Sequence, residues 1–241
     1  LQSFPTRRSS DLKVDEINNL VWKLTNDSAN CHFLAQKSIE ISEKIGYLSG
    51  KATAQKNLAA YYYYAGKYDL ALDLYNLSLE NYKNANNKKG IAISYRNIGN
   101  IYVQFGNWEV ALKNYFNSLK IREEIGDSAG VAIMFNAIGQ LYQTINQNTD
   151  SSIVYYKRAL NVFIKLNDNT NIASTLLNLG NIFNDLYTTS KDSIYLDSSL
   201  FYAFKALFFA NNANDLRIEG VCYELIGQNK LENKQYDSAF F

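Results

Sequence analysis

The chain has 241 residues, 47% hydrophobic and 20% charged, enough apolar content to bury a continuous core and too much for a disordered segment. Its 24 Lys and Arg against 23 Asp and Glu give a formal net charge of +1, which lacks the positive field that draws phosphate backbones and gives a nucleic-acid partner no electrostatic support. Two cysteines, Cys31 and Cys222, with one histidine are too few for a disulfide framework or a four-ligand zinc site, and no apolar run approaches the roughly 18 to 20 residues that span a bilayer.

Ser3 to Leu12, SFPTRRSSDL, resembles the translation of a short-read sequencing adapter, and residues 1–12 are set aside as a non-native scar. With them go Arg7, Arg8 and Asp11, which leaves the remainder formally neutral, and Pro5, the only proline. Nothing in the rest forbids helix at its own backbone nitrogen.

Residues 13–46 read as a degenerate first unit, with Cys31 and Ala35 in places that Ala and Tyr take later. Thereafter a repeat governs the chain. Asn57-Leu-Ala-Ala-Tyr-Tyr62, Asn97-Ile-Gly-Asn-Ile-Tyr102, Ala137-Ile-Gly-Gln-Leu-Tyr142, Asn178-Leu-Gly-Asn-Ile-Phe183 and Leu225-Ile-Gly-Gln-Asn-Lys230 share one pattern. Their small residue recurs at Ala59, Gly99, Gly139, Gly180 and Gly227, spacings of 40, 40, 41 and 47. A second track follows at Ala71, Ala111, Ser152, Ser199 and Ala239, and four residues after its first four members come Tyr75, Tyr115, Tyr156 and Ala203. The boundaries are 47–86, 87–126, 127–167, 168–215 with an insertion at 188–196, and a sixth unit, 216–241, that stops at Phe241 one turn into a helix. The stop reads as a fragment of a longer protein.

Within the third unit Tyr95, Ile98, Tyr102 and Phe105 recur at steps of three and four, one face of a helix A. Beyond Gly106-Asn107, a second stripe of Trp108, Ala111 or Leu112, Tyr115 and Leu119 marks a helix B. Gly66 and Gly106 fall where helix A must stop, Gly46 and Gly126 where helix B must stop. Gly99 and Ala111 mark a close helix crossing, with the tyrosines filling the space beside it. A lone hairpin leaves apolar surface bare, and stacking covers it. The fold class is therefore all-α, stacked antiparallel helix pairs.

The Leu or Ile, Gly and Tyr of helix A followed by the Ala and Tyr of helix B resemble the tetratricopeptide repeat over nearly all of residues 14–241. The period is 40 rather than the family's 34, and the proline usual near the end of helix B is missing. It resembles the longer-helix subclass of kinesin light chains and bacterial signalling proteins, and ALKNYFNSLKIREEIG (Ala111 to Gly126) is similar to sensory arrays ahead of bacterial histidine kinases or helix-turn-helix regulators. The resemblance implies a right-handed α-solenoid whose A helices line a concave, peptide-binding groove.

Polar residues stand at the implied positions. Arg96, Asn97, Asn100 and Gln104 lie off the Tyr95, Ile98, Tyr102 stripe. Lys56 and Asn57 match them in the second unit, Asn136, Gln140 and Gln143 in the fourth, Asn178, Asn181 and Asp185 in the fifth, and Gln228 in the sixth. An amide both donates and accepts, so a row of amides can pair with a peptide backbone whatever its side chains. Lys56 and Arg96 add a grip for a carboxylate. The plainer alternative is a solvated face of an Asn-rich chain.

Other constellations point to structure. His32 beside Cys31 has no second histidine to build a nucleophile pair. Glu123 and Glu124, beside Lys120 and Arg122, read as a solvated face with local ion pairs. Of Tyr61 to Tyr64, Tyr62 is assigned to the core and Tyr64 to the groove. Asn26-Asp-Ser28 and Asn76-Leu-Ser78 match the glycosylation pattern but are assigned no modification. No phosphate loop, zinc signature or nucleophile elbow is present, so no catalytic residue, metal or cofactor is expected. The expected function is a protein-interaction module that binds a protein or peptide, part of a bacterial signalling protein, in cytoplasm or periplasm, with no membrane segment in this stretch. The rival is a structural spacer or homo-oligomerisation element, and a small-molecule sensor would need Thr188 to Leu196 to fold over a closed pocket.

Overall fold

A computed structural model of the chain describes residues 9–23, 28–145 and 149–232. Among them are eleven helices and no strand: α1 (Ser9–Lys23), α2 (Ser28–Ile45), α3 (Leu48–Tyr64), α4 (Tyr68–Asn84), α5 (Lys88–Gln104), α6 (Trp108–Glu124), α7 (Ser128–Thr144), α8 (Thr149–Lys165), α9 (Asn169–Ser190), α10 (Ser193–Ala213) and α11 (Leu216–Glu232). The expectations for Pro5, for Asn26 and for Ala239 lie outside the described residues. Ser9 to Leu12 form the first turn of α1.

Helices α3 to α6 each span 17 residues. Two such helices and two three-residue turns make the 40-residue period. The turns follow one chemical scheme. At Gly106 (φ +68°) the chain enters the left-handed region, and the Gly106 and Asn107 amides donate to the carbonyls of Val103 (3.0 Å) and Tyr102 (2.9 Å), closing α5. Asn107 then opens α6, its side chain accepting from the Val110 amide at 3.2 Å. Asn87, Asp127 and Asp168 accept likewise from the amides of Gly90, Gly130 and Asn171. Where glycine is missing, Asn86 and Asn167 take the left-handed position, each at φ 53°.

The chain divides into two compact units, Leu1–Gly126 and Asp127–Phe241. In the first, α3 packs on α4 and α5 on α6, and stacking brings α1 to α3 and α3 to α5. Its core joins Ala59, Ala71, Tyr75, Leu79, Ile98 and Ile101, with Val21, Cys31, Ala35 and Leu58 beneath α1 and α2. The close crossing is where the period puts it: a Cβ on Gly99 would lie 2.6 Å from the Tyr115 ring and 3.3 Å from the Ala111 carbonyl. Ser78 and Ser118 tie each B helix to its own A helix, donating to the carbonyls of Ala52 (2.8 Å) and Ala92 (2.7 Å).

In the second unit α7 packs on α8, α9 on α10 and α10 on α11 around Ala132, Phe163, Ile172, Leu176, Ala203, Ala206, Ala210 and Cys222. The inserted residues 188–196 lengthen helices: α9 has 22 residues and α10 has 21, meeting at Lys191 (φ 58°). Thr188, Thr189 and Ser190 return their hydroxyls to carbonyls of α9.

One expectation is corrected. Arg122 does not lie on a solvated face; it is 5% exposed, with Nε donating to Ser118 Oγ at 3.3 Å. Glu124 pairs instead with Lys88, 3.4 Å away.

Candidate functional site

In the first unit, neighbouring A helices α3 and α5 present their polar faces beside α1, and a cavity of about 110 Å³ opens between them. It is lined by Lys56, Ala60, Tyr63 and Tyr64 of α3, Ile93, Arg96, Asn97 and Asn100 of α5, Tyr75 of α4 and Trp22 of α1. Four of the sequence-identified residues, Lys56, Arg96, Asn97 and Asn100, thus meet around one space. Among the described residues no carboxylate lines it.

The cavity is rich in donors. Lys56 Nζ lies 5.3 Å from the Trp22 ring centroid, and burial, with the nearby Arg96 guanidinium second, lowers the Lys56 pKa below its ordinary 10.5. Arg96 gives one bond to Asn97 Oδ1 at 3.5 Å, and its buried Nε has no hydrogen-bond partner. Asn100 Oδ1 accepts from the Tyr115 hydroxyl at 2.6 Å. Both amide oxygens are therefore occupied, which leaves the two NH2 groups as donors. Burial raises the Tyr75 pKa and lifts that of Tyr115 to about 12, so both hydroxyls stay neutral. Two cations, two amide donors and four aromatic walls suit a small, acceptor-rich anionic group attached to something apolar.

Asn57 does not belong to this site. It is 1% exposed, and its amide donates to the Asn18 carbonyl of α1 at 2.8 Å, so it joins repeats rather than facing a ligand. Gln104 lies outside the cavity, its amide donating to Tyr63 Oη at 3.2 Å. Tyr64, assigned to the groove, is exposed and lines this cavity, whereas Tyr62, assigned to the core, is partly buried and meets His32 edge-on. Trp22 and Tyr75 are the residues that sequence reasoning missed.

The polar positions of the second unit are more dispersed. Gln143 accepts from the Tyr156 hydroxyl at 3.1 Å and lines, with Thr149, Ser152, Ile182, Asp185 and Thr189, a second cavity of about 110 Å³. Asn136 Oδ1 accepts from Thr175 at 3.3 Å. Asn178 and Asn181 are partly buried, Gln140 and Gln228 are exposed, and none of these four lines that cavity. Gln228 bonds Glu224 within its own helix. Cys31 and Cys222 are buried free thiols, and burial raises the Cys222 pKa to about 11. Among the described residues no helix is long and apolar enough to cross a membrane, and no group of His, Cys, Asp and Glu could hold a metal ion.

Solved structures share this architecture at low identity. BtubC from P. vanneervenii is 17% identical, with a TM-score of 0.71 over 97% of this chain and 87% of that one. A signal-transduction ATPase with numerous domains and a tetratricopeptide repeat sensor, from Pyrococcus horikoshii, is also 17% identical, with a TM-score of 0.73 over 98% of this chain but 36% of its own. A Rap protein complexed with competence and sporulation factor is 12% identical, with a TM-score of 0.63 over 93% of this chain and 66% of that one. Comparison with curated proteins found no match. The tetratricopeptide repeat model matches residues 34–84 and 90–161, just over half of the sequence. Its matched span runs through α2 to α8, the helix pairs whose spacing and close crossings were derived above, and the chain belongs to the tetratricopeptide repeat family.

Proposed function

We propose that this chain is a protein-interaction module of a signalling protein, and that the cavity between α1, α3 and α5 receives a carboxylate of a bound peptide. The observation that carries this reading is the pair Lys56 and Arg96, partly buried around a space that no acid lines among the described residues, with Arg96 Nε lacking a hydrogen-bond partner. Holding two cations together without a counter-ion is unfavourable, and an incoming carboxylate relieves it. Asn97 and Asn100 offer NH2 groups to the peptide backbone, while Trp22, Tyr63 and Tyr64 cover apolar neighbours of the bound group. A ligand held by this fold has a precedent in the Rap protein complexed with competence and sporulation factor.

The test is calorimetric titration of the 241-residue chain with peptide pools that differ only in a free or amidated C-terminus and in acidic or amide side chains. Acidic peptides bind, their amide counterparts bind at least about tenfold more weakly, and Arg96→Gln removes the difference. Equal binding of both pools, or a difference that survives Arg96→Gln, rejects the reading.

A further inference from the structure

The outer faces of the B helices can be compared in register, because each carries two buried reference points: Ala71 and Tyr75 in α4, Ser152 and Tyr156 in α8, Ser199 and Ala203 in α10. At two, five and nine positions past the first of these, α4 has Asp73, Asn76 and Glu80, and α8 has Val154, Lys157 and Asn161, all exposed. At the same positions α10 has Phe201, Phe204 and Phe208, 53%, 48% and 60% exposed. Both α4 and α8 are followed by a further helix packed against them, α5 and α9, and this face stays open there. Stacking another repeat therefore does not cover it, and three phenylalanines stand in water on α10 where α4 places no apolar side chain and α2, α6 and α8 place one each, Phe33, Phe116 and Val154.

The face also reads alike in both directions. Four residues before and after Phe201 stand Asp197 and Lys205, and seven before and after stand Ile194 and Phe208. All five are exposed, and at about 100° per residue they fall within a strip about 80° wide. A second α10 crossing antiparallel at Phe201 sets Asp197 opposite Lys205 of the second copy, Ile194 opposite its Phe208, and Phe201 on the axis. Parallel pairing would instead oppose like charges. Such reciprocity, residue against residue and back, is what a two-fold interface requires. In the single chain Lys205 lies over the Phe201 ring, 4.3 Å from its centroid, partly shielding it.

We infer that the outer face of α10 is a self-association surface on which two copies of this chain pair antiparallel about Phe201. The inference goes beyond peptide capture and uses no residue of the α1, α3 and α5 cavity, so either can fail alone. Sedimentation equilibrium of the 241-residue chain from about 1 to 200 μM gives twice the 27.4 kDa chain mass at the upper end. Phe201→Ser with Phe208→Ser stays monomeric throughout with unchanged circular dichroism. Asp197→Lys and Lys205→Asp each weaken pairing at least about tenfold, and together they restore it, because reversal exchanges the signs on both copies. With oxidised glutathione as the electron acceptor, Phe201→Cys forms a disulfide-linked dimer through the new cysteine, since Cys31 and Cys222 are buried. A wild-type monomer at every concentration, a dimer that survives the double serine variant, or charge reversals that do not restore one another would overturn the inference.

Discussion

Lys56 carries its charge where burial and the Arg96 guanidinium both disfavour it, and the folded-state pKa falls below 10.5. Between the lowered pKa and 10.5 the unfolded chain binds more protons, so this residue's contribution to stability rises with pH through that window and is lost as pH falls through the folded value. Lys56→Met therefore stabilises the chain at neutral pH, by up to about 1 kcal/mol in urea unfolding, flattens stability against pH below 10.5, and weakens binding of acidic peptides. A variant less stable than wild type at pH 7 contradicts the account. Asn86 holds φ 53° at the end of α4, where Gly46, Gly66, Gly106 and Gly126 serve other turns. Asn86→Gly removes the side-chain cost of the left-handed region and stabilises by a few tenths to about 1 kcal/mol, whereas Gly106→Ala costs about 1 kcal/mol. Thermal melts decide both. Asn57 shows why residue type alone misplaced one ligand candidate: its helix-A position looks like that of Asn97, but α1 covers it and supplies the Asn18 carbonyl. In residues 13–46 only Cys31 and Ala35 of the second helix could be put in register, so the positions of α1 were not marked and Trp22 went unnoticed.

The helices themselves were legible because each 17-residue element recurs in phase, so weak signals in one repeat are reinforced by the next. Register was in fact more informative than charge. Arg122 occupies the place of Tyr82 one period earlier and of Phe163 one repeat later, and all three are buried; only its acidic neighbours suggested a solvated face. Residues 188–196 have no apolar period and read as an insertion, yet they contain neither Gly nor Pro, so α9 extends to Ser190 and α10 starts again at Ser193, with only the left-handed Lys191 and the cap Asp192 between them. Side-chain relays between elements were not legible, since they need two positions far apart in sequence. Ser199 is one: it donates to the Gly180 carbonyl at 2.9 Å and accepts from the buried Asn229 amide at 2.7 Å, binding α9, α10 and α11 together. Asn229 Oδ1 has no partner already. Ser199→Ala strands that amide and costs about 1 to 3 kcal/mol, more than the roughly 1 kcal/mol expected for Ser78→Ala, which leaves only the Ala52 carbonyl short of a donor. Hydrogen exchange should localise the larger loss to α11; equal costs with uniform exchange would contradict the relay.

Over the whole molecule, helix pairs repeat while the chemistry on their faces does not. Periodicity distributed polar side chains along successive A helices, but which of them gather depends on partners the period does not encode: Tyr115 fixes Asn100, Thr175 engages Asn136, and Glu224 engages Gln228. Charge follows the same division. A formal net charge of +1 gives little long-range field, so under the proposed reading the attraction for an acidic peptide is confined to the cavity bearing Lys56 and Arg96. Partly buried charges in direct contact with a ligand are screened far less than exposed ones separated by more than a Debye length, about 10 Å at 0.1 M salt. Affinity for an acidic peptide should therefore fall by less than about tenfold between 50 and 500 mM salt, with the loss appearing mainly in the dissociation rate, because close contacts act after encounter whereas steering acts before it. Surface-plasmon measurements across that range separate the two rates. A steep fall in the association rate would mean that a broad basic surface, rather than two enclosed cations, recruits the ligand.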